Sequence, residues 1–228
     1  MIVLGLETSS GVCSVGLADD HGPQRSETLV AGTVHSEKLL PLIQSLLDAQ
    51  RIGFSQVDAI AVSSGPGSFT GLRIGFSAAK GLCHSIAKPL IVVPTFQALA
   101  QSAMQAVPSA ENILVALDAK KGDFYVGLFR PGVSGLLAVG ETILLAEQAL
   151  PSRIPTTPGT VILTDSIEKV VRLANDSSTF LDVTKHYRGE IIAYLGVQKA
   201  LRGEVSGNDE AEPLYLKDFV VKGRGPAT

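Results

Sequence analysis

Leu6-Glu7-Thr8-Ser9-Ser10-Gly11-Val12-Cys13-Ser14-Val15-Gly16-Leu17 returns in outline, without a gap, as Leu117-Asp118-Ala119-Lys120-Lys121-Gly122-Asp123-Phe124-Tyr125-Val126-Gly127-Leu128. In each copy a leucine precedes an acidic residue, and a glycine stands four residues before a Val-Gly-Leu triplet. A short apolar run, a polar turn and a second apolar run predict a pair of antiparallel strands. The same unit opening both halves predicts a duplicated fold, with one lobe over residues 1–108 and a second over 109–228. Pro108–Asn112 reads as the boundary.

Outward from the first copy, strands are expected at Ile2–Leu6, Val12–Ala18 and Ser26–Ala31, with Asp19–Pro23 as a turn. The period then changes. Leu39, Leu40, Leu42, Ile43, Leu46 and Leu47 follow helical spacing over Ser36–Ala49, with Pro41 confined to the first turns or a kink. Strands at Ala59–Ser63 and Leu90–Val93 alternate with helices at Leu72–Ala87 and Thr95–Gln105. The order βββαβαβα predicts an α/β protein with a mixed sheet covered by helices. The second half is less regular. It offers strands at Ile113–Leu117, Phe124–Phe129, Leu136–Leu144 and Val161–Thr164, a Pro-rich loop from Pro151 to Pro158, and helices near Ile167–Ala174 and Glu190–Leu201.

Composition narrows the function classes. The 228 residues are 45% hydrophobic but only 5% aromatic, without Trp, so the core rests on aliphatic side chains. A formal charge of −3 supplies no global field for a polyanion, and any nucleic-acid contact must be local or made by a partner. Cys13 and Cys83 stand far apart in apolar segments and are expected to be buried thiols. The first residues lack the pattern of a signal peptide and no window has the length of a membrane span, so the cytoplasm is the expected compartment. His21, His35, His84 and His186 form no metal-binding pair, and no Ser/His/Asp set is evident.

Two segments could carry function. Gly65-Pro66-Gly67-Ser68-Phe69-Thr70-Gly71, between a strand and a helix, is where backbone N–H groups would meet a phosphate, although the spacing fits neither a Walker A loop nor a dinucleotide fingerprint. A tight turn is the alternative. Gly67, Gly71, Gly75 and Ala79 recur every four residues and make a smooth stripe that lets another helix approach closely. This helix and the preceding one are apolar over wide arcs. That excess predicts either a patch covered by another protein or two faces buried internally. Glu7 and Asp118 could face each other across a cleft as Mg²⁺ or general-base carboxylates, or could cap their own turns.

Glu7-Thr8-Ser9-Ser10, His35-Ser36-Glu37-Lys38-Leu39-Leu40-Pro41, Gly65 to Gly75, Asp118-Ala119 and Glu212-Pro213-Leu214-Tyr215-Leu216 together resemble the bacterial TsaB (YeaZ) family, in order along nearly the whole chain. The resemblance implies a duplicated actin-like ATPase (ASKHA) fold whose second lobe is reduced. It also implies an accessory, non-catalytic subunit without cofactor that binds and activates a TsaD-like threonylcarbamoyltransferase. A TsaE-like ATPase joins them, tRNA is reached through the complex, and the product is threonylcarbamoyladenosine at position 37 of tRNAs reading codons that begin with A. In the catalytic relative a His-x-x-x-His metal pair falls where this chain has Thr95 and Leu99, and a Gly-Gly adenosine turn falls where it has Val161–Ser166.

Both departures predict a fold retained without its active site, leaving Thr8, Ser9, Ser10, Gly65, Gly67 and Ser68 as remnants of phosphate loops. Docking is then expected through Leu39, Leu40, Ile43, Leu46, Leu47, Gly71, Leu72, Arg73, Gly75, Phe76 and Ala79, with a homodimer through the same face when the partner is absent. On that reading Gly75→Leu blocks docking and leaves the fold intact. The enzyme-class alternative is an ATP-dependent phosphotransferase using Glu7 or Asp118.

Overall fold

The apolar run near the start forms β1 (Val3–Glu7), and the next forms β2 (Val12–Asp19); both are almost wholly buried. They pair antiparallel, with Gly5 opposite Gly16 and Leu6 opposite Val15. The computed structural model describes residues 1–30, 35–133, 135–174, 178–207 and 210–217. β3 (Gly22–Val30) begins four residues before the expected Ser26, because Asp20-His21 alone make the turn. Pro23 is tolerated there because β3 is an edge strand. Ala31, the expected end of that strand, lies outside the described residues.

α1 (His35–Gln50), β4 (Ala59–Ser63), α2 (Phe69–Ile86), β5 (Leu90–Val93) and α3 (Thr95–Ala106) follow in the expected order. The sheet runs β3-β2-β1-β4-β5, with β4 parallel to both β1 and β5.

The second half repeats this plan. β6 (Asn112–Lys120) and β7 (Asp123–Gly132) are the echoed hairpin, followed by β8 (Gly135–Ala138), β9 (Ile143–Ala146), β10 (Thr160–Thr164), α4 (Ile167–Val171), β11 (Thr179–Asp182) and α5 (Gly189–Leu201). Its sheet runs β11-β10-β6-β7-β8, with β9 also on β7. With β8 and β9 counted together as the third strand, both sheets have the order third, second, first, fourth and fifth, the structural form of the sequence echo. Leu136–Leu144, expected as one strand, is two. β8 pairs with Phe129–Gly132 and β9 with Asp123–Val126, and between them the chain breaks at Gly140, whose φ of 80° only glycine adopts at little cost. α4 ends at Val171 instead of Ala174, and β11, Thr-Phe-Leu-Asp without the continuous apolar run of β5, was not among the expected strands.

The division expected at residue 108 follows the sheets but not the helices. α1 and α2 cover one face of the first sheet through Leu39, Ile43, Leu46, Phe76 and Ala79. Its other face is covered by α5, whose Ile191, Ile192 and Val197 pack on Val3, Ala61 and Ile91. α3 conversely leaves the first sheet and buries Phe96, Leu99 and Ala103 against Ile113, Val115 and Leu163 of the second. Each sheet is thus completed by a helix from the other half of the chain. The remaining face of the second sheet has only a thin cover, with Leu150, Ile154 and Val170 over Leu114, Ala116 and Ile162. Cys13 and Cys83 are buried, and desolvation pushes each thiol up to about 11. Among the described residues no helix is long and apolar enough to cross a membrane.

Candidate functional site

Two surfaces meet at the N-terminus of α2: the cleft between the hairpin turns, and a groove between α1 and α2. The cleft has a volume of about 440 Å³ and is lined by Ser9, Ser10, Gly11, Gly67 and Ser68 from the first lobe. Asp118, Lys120, Tyr125, Asp165 and Tyr187 complete it from the second. Of the six candidate phosphate residues, Ser9, Ser10, Gly67 and Ser68 therefore do line one cleft. Thr8 and Gly65 are sealed beneath it.

Four of the backbone donors around this turn are already engaged, those of Ser9, Gly65, Ser68 and Gly71. Ser68 N–H donates to the Ser9 carbonyl at 2.7 Å, and Ser68 Oγ accepts the Gly71 N–H as the N-cap of α2. Gly65 N–H donates to Thr95 Oγ1 at 2.9 Å. Ser9 N–H and Ser9 Oγ–H both donate to Glu7 Oε1 at 2.6 Å, joined by Ser63 Oγ–H at 3.1 Å. The turn at Thr8–Ser10 thus rests on the helix terminus where an anion would otherwise sit. A Cβ at Gly67 would come within 2.3 Å of the Ser9 carbonyl oxygen, and one at Gly71 within 2.0 Å of that of Thr8.

The two acidic residues of the echo have different surroundings. Glu7 is buried and is not among the residues lining the cleft, so the pair does not form a facing carboxylate site. Burial raises the Glu7 pKa against the opposing hydrogen bonds from Ser9 and Ser63. Asp118 does line the cleft. Burial acts to raise its pKa too, but the Lys120 N–H and the charges of Lys120 and Lys169 outweigh this and hold it below the ordinary value.

The Glu7 shift has a measurable sign. A carboxyl whose folded pKa lies above its unfolded value favours folding while protonated, so stability falls as pH rises from the unfolded value through the folded one. Glu7→Gln removes that dependence. Urea unfolding across this pH range is expected to show the variant gaining on the wild type as pH rises; a difference constant with pH would contradict the shift.

The docking residues expected from sequence divide sharply. Leu39, Ile43, Leu46, Leu47, Leu72, Phe76 and Ala79 are at most 4% exposed, and Gly71 and Gly75 are buried as well. They are core residues of the first lobe and cannot present desolvated area to a partner. The small-residue stripe admits the chain's own β1–β2 turn: Thr8 lies over Gly71 and Gly75. Leu40, 55% exposed, and Arg73 remain on the surface. With Ser36, Phe69, Thr70, Ile74, Ser77 and Ala78 they line an open, mostly apolar groove of about 510 Å³, into which Leu39 also reaches. Phe69, Ile74 and Ala78 were missed because helical spacing gives the width of an apolar arc and not which edge of it faces outward.

Arg73 lies over the Phe69 ring at 3.9 Å, and its Nε–H donates to the Tyr215 hydroxyl at 3.4 Å. Thr95 and Leu99 are buried, Thr95 bracing the Gly65 loop and Leu99 in the α3 core. A serine and a histidine invisible as a pair in the sequence do meet: Ser102 Oγ and His186 Nδ1 lie 2.9 Å apart. Ser102 is 2% exposed and His186 9%. The pair pins α3 to the turn before α5.

A family model described as "TsaD: tRNA N6-adenosine threonylcarbamoyltransferase" matches residues 29–217. The chain is 27% identical over 229 residues to the tRNA threonylcarbamoyladenosine biosynthesis protein TsaB of Escherichia coli K12, covering 96% of each. Its structure superposes on "YeaZ from Pseudomonas aeruginosa" with a TM-score of 0.80 and 28% identity, covering 94% of this chain and 99% of that one. The chain belongs to the TsaB (YeaZ) family. A TsaB of Haemophilus influenzae is 37% identical over 125 residues, 55% of this chain and 52% of the relative. The architecture is that of an actin-like α/β protein. The 2-hydroxyisocaproyl-CoA dehydratase activator of Clostridium difficile shares the fold alone, with a TM-score of 0.54 at 12% identity. In this TsaB-family chain the turn above α2 is met by the chain's own backbone, and the groove beside it is open.

Proposed function

We propose that this TsaB-family chain is an accessory subunit in the formation of threonylcarbamoyladenosine at position 37 of tRNAs reading codons that begin with A. It binds and activates a TsaD-like threonylcarbamoyltransferase and performs no bond-making step itself. A TsaE-like ATPase joins the assembly, tRNA is engaged within the complex, and the chain works in the cytoplasm. The observation that carries the reading is the α1–α2 groove, an open apolar surface on a protein whose neighbouring phosphate turn is occupied by its own backbone. Apolar area rimmed by polar side chains is what protein partners cover. Leu40, Phe69 and Ile74 supply desolvated area, and Arg73 a cation at the rim. The same groove suits isologous pairing of two copies when the partner is absent.

The test is Leu40→Asp, a change at an exposed position that the fold tolerates. Calorimetric titration with the TsaD-like subunit is expected to show binding weakened about tenfold or more, with an unaltered melting curve. Binding equal to wild type would refute docking through this groove. Titration with ATP and Mg²⁺ separates the alternative, since micromolar binding with turnover would instead support a phosphotransferase.

A further inference from the structure

Beside the α2 terminus lies a further cavity of about 430 Å³, which shares Gly67, Ala119, Lys120 and Tyr125 with the cleft. It is built from three separate segments: the start of α2, the tip of the β6–β7 hairpin, and the carboxy-terminal stretch Leu214–Lys217. That stretch is held in place. Leu214 N–H donates to the Ser64 carbonyl at 2.8 Å, and the Tyr215 ring lies 4.9 Å from that of Phe69. Lys217 Nζ donates to the carbonyls of Ala119 and Lys120 and to Asp123.

The lining combines two chemistries, aromatic rings and lysines. In a chain with four Tyr and eight Phe, the cavity gathers Tyr125, Tyr215 and Phe69. It also gathers Lys120, Lys121 and Lys217, and no Asp or Glu is among the described residues lining it. The nearby carboxylates have cations of their own: Asp123 pairs with Lys217 at 2.8 Å, and Asp118 with Lys169 at 3.4 Å. Lys120 reaches Asp118 only at 3.8 Å with 80% of its side chain exposed, and among the described residues Lys121 makes no ion pair. Lys121 is therefore left to act outward from this tip, and Lys120 is tied only through that long, exposed pair. Both occupy the left-handed region, with φ of 63° and 60°, ahead of Gly122 at 80°. Each costs on the order of 1 kcal/mol for a non-glycine residue.

We infer that this cavity binds single-stranded RNA, seating one base against Tyr125 and Tyr215 while Lys120 and Lys121 meet the flanking phosphates. Aromatic faces accept any base, and lysines beside them follow the backbone. The inference rests on the proposed role in tRNA modification and adds to it a direct contact between this chain and the RNA. Because lysines of this tip meet the phosphates, the contact is sensitive to salt.

The experiment follows fluorescence anisotropy of a labelled single-stranded RNA octamer at low salt, titrated with the chain alone and with the chain bound to its TsaD-like partner. Wild type, Lys121→Gln and Tyr125→Leu are compared. Lys121→Gln is expected to lower the slope of log affinity against log salt by about 0.7. Tyr125→Leu should weaken binding about fivefold or more at unchanged slope. Neither residue lines the α1–α2 groove, so both variants should bind the TsaD-like subunit as wild type does; this reading stands or falls separately from docking. RNA binding by the variants equal to wild type, or absent from the wild-type complex, overturns the inference. So does displacement by AMP as effective as by the unlabelled octamer, which would make the cavity a mononucleotide site.

Discussion

Replacing Gly16 with alanine is expected to destabilise the protein by about 3 kcal/mol or more, the upper range for overpacking a core. The alanine Cβ would lie 2.0 Å from the backbone nitrogen of Glu190 and 2.4 Å from its Cα. Both belong to α5, and backbone cannot rotate aside as a side chain does. The contact is reciprocal, since a Cβ on Gly189 would come within 2.4 Å of the Val15 carbonyl carbon. β2 and α5 are in direct backbone contact here, and Gly189 N–H is fixed by Ser14 Oγ at 2.9 Å. The measure is thermal unfolding, in which a loss of this size lowers the midpoint by roughly 6–12 °C for a chain of this length. Gly11→Ala is the control, because a Cβ there meets nothing within 4 Å. Equal midpoints for the two variants would show that α5 can move away without cost.

Gly75→Leu is expected to abolish cooperative folding, the reverse of what the helical stripe suggested. A Cβ at Gly75 would lie 2.2 Å from Thr8 Oγ1 and 3.4 Å from Val62 Cγ2, inside the first lobe. Loss of co-purification by this variant would therefore report misfolding and say nothing about docking. The cause can be isolated with smaller changes. Thr8 Oγ1 is buried without a hydrogen-bond partner, so removing it leaves no orphaned group. Gly75→Ala alone should lose about 1–3 kcal/mol, and Thr8→Ala combined with it should recover most of that loss, because the remaining contacts, Val62 Cγ2 at 3.4 Å and Thr8 Cβ at 3.5 Å, are ordinary van der Waals distances. Chemical denaturation of the four proteins gives the coupling directly. Additive effects would mean that the clash lies elsewhere.

The fold was largely legible because its signals are local. Alternation and apolar runs located β1, β2, β4 to β7 and β10, and the paired Leu-acidic motifs exposed the duplication. What sequence could not supply was the partner of each apolar face. Leu39 and Leu40 are adjacent and chemically equal, yet one is 1% exposed and the other 55%, and only the position of β2 and α2 decides between them. Glycine spacing showed close approach but not what approached. Of the six residues expected as phosphate-loop remnants, four line one cleft and Thr8 and Gly65 are buried, while Glu7, read as a possible ligand of a metal, is held by hydroxyls recruited from Ser9 and Ser63, the second 56 positions away. Tyr215 and Lys217 reach Arg73 and Asp123 from 142 and 94 positions away, and no periodicity carries such information.

The exchange of α3 and α5 between the sheets also governs the order in which the molecule can be made. While the nascent chain leaves the ribosome, β1 through β5 are available after fewer than half the residues have emerged, but the surface formed by Val3, Ala61 and Ile91 stays bare until residues 189–201 arrive. Pairing across so long an interval is slow and leaves greasy intermediates open to aggregation. Synthesis halted before Gly189 would therefore yield a polypeptide in need of chaperone protection, however intact its first five strands.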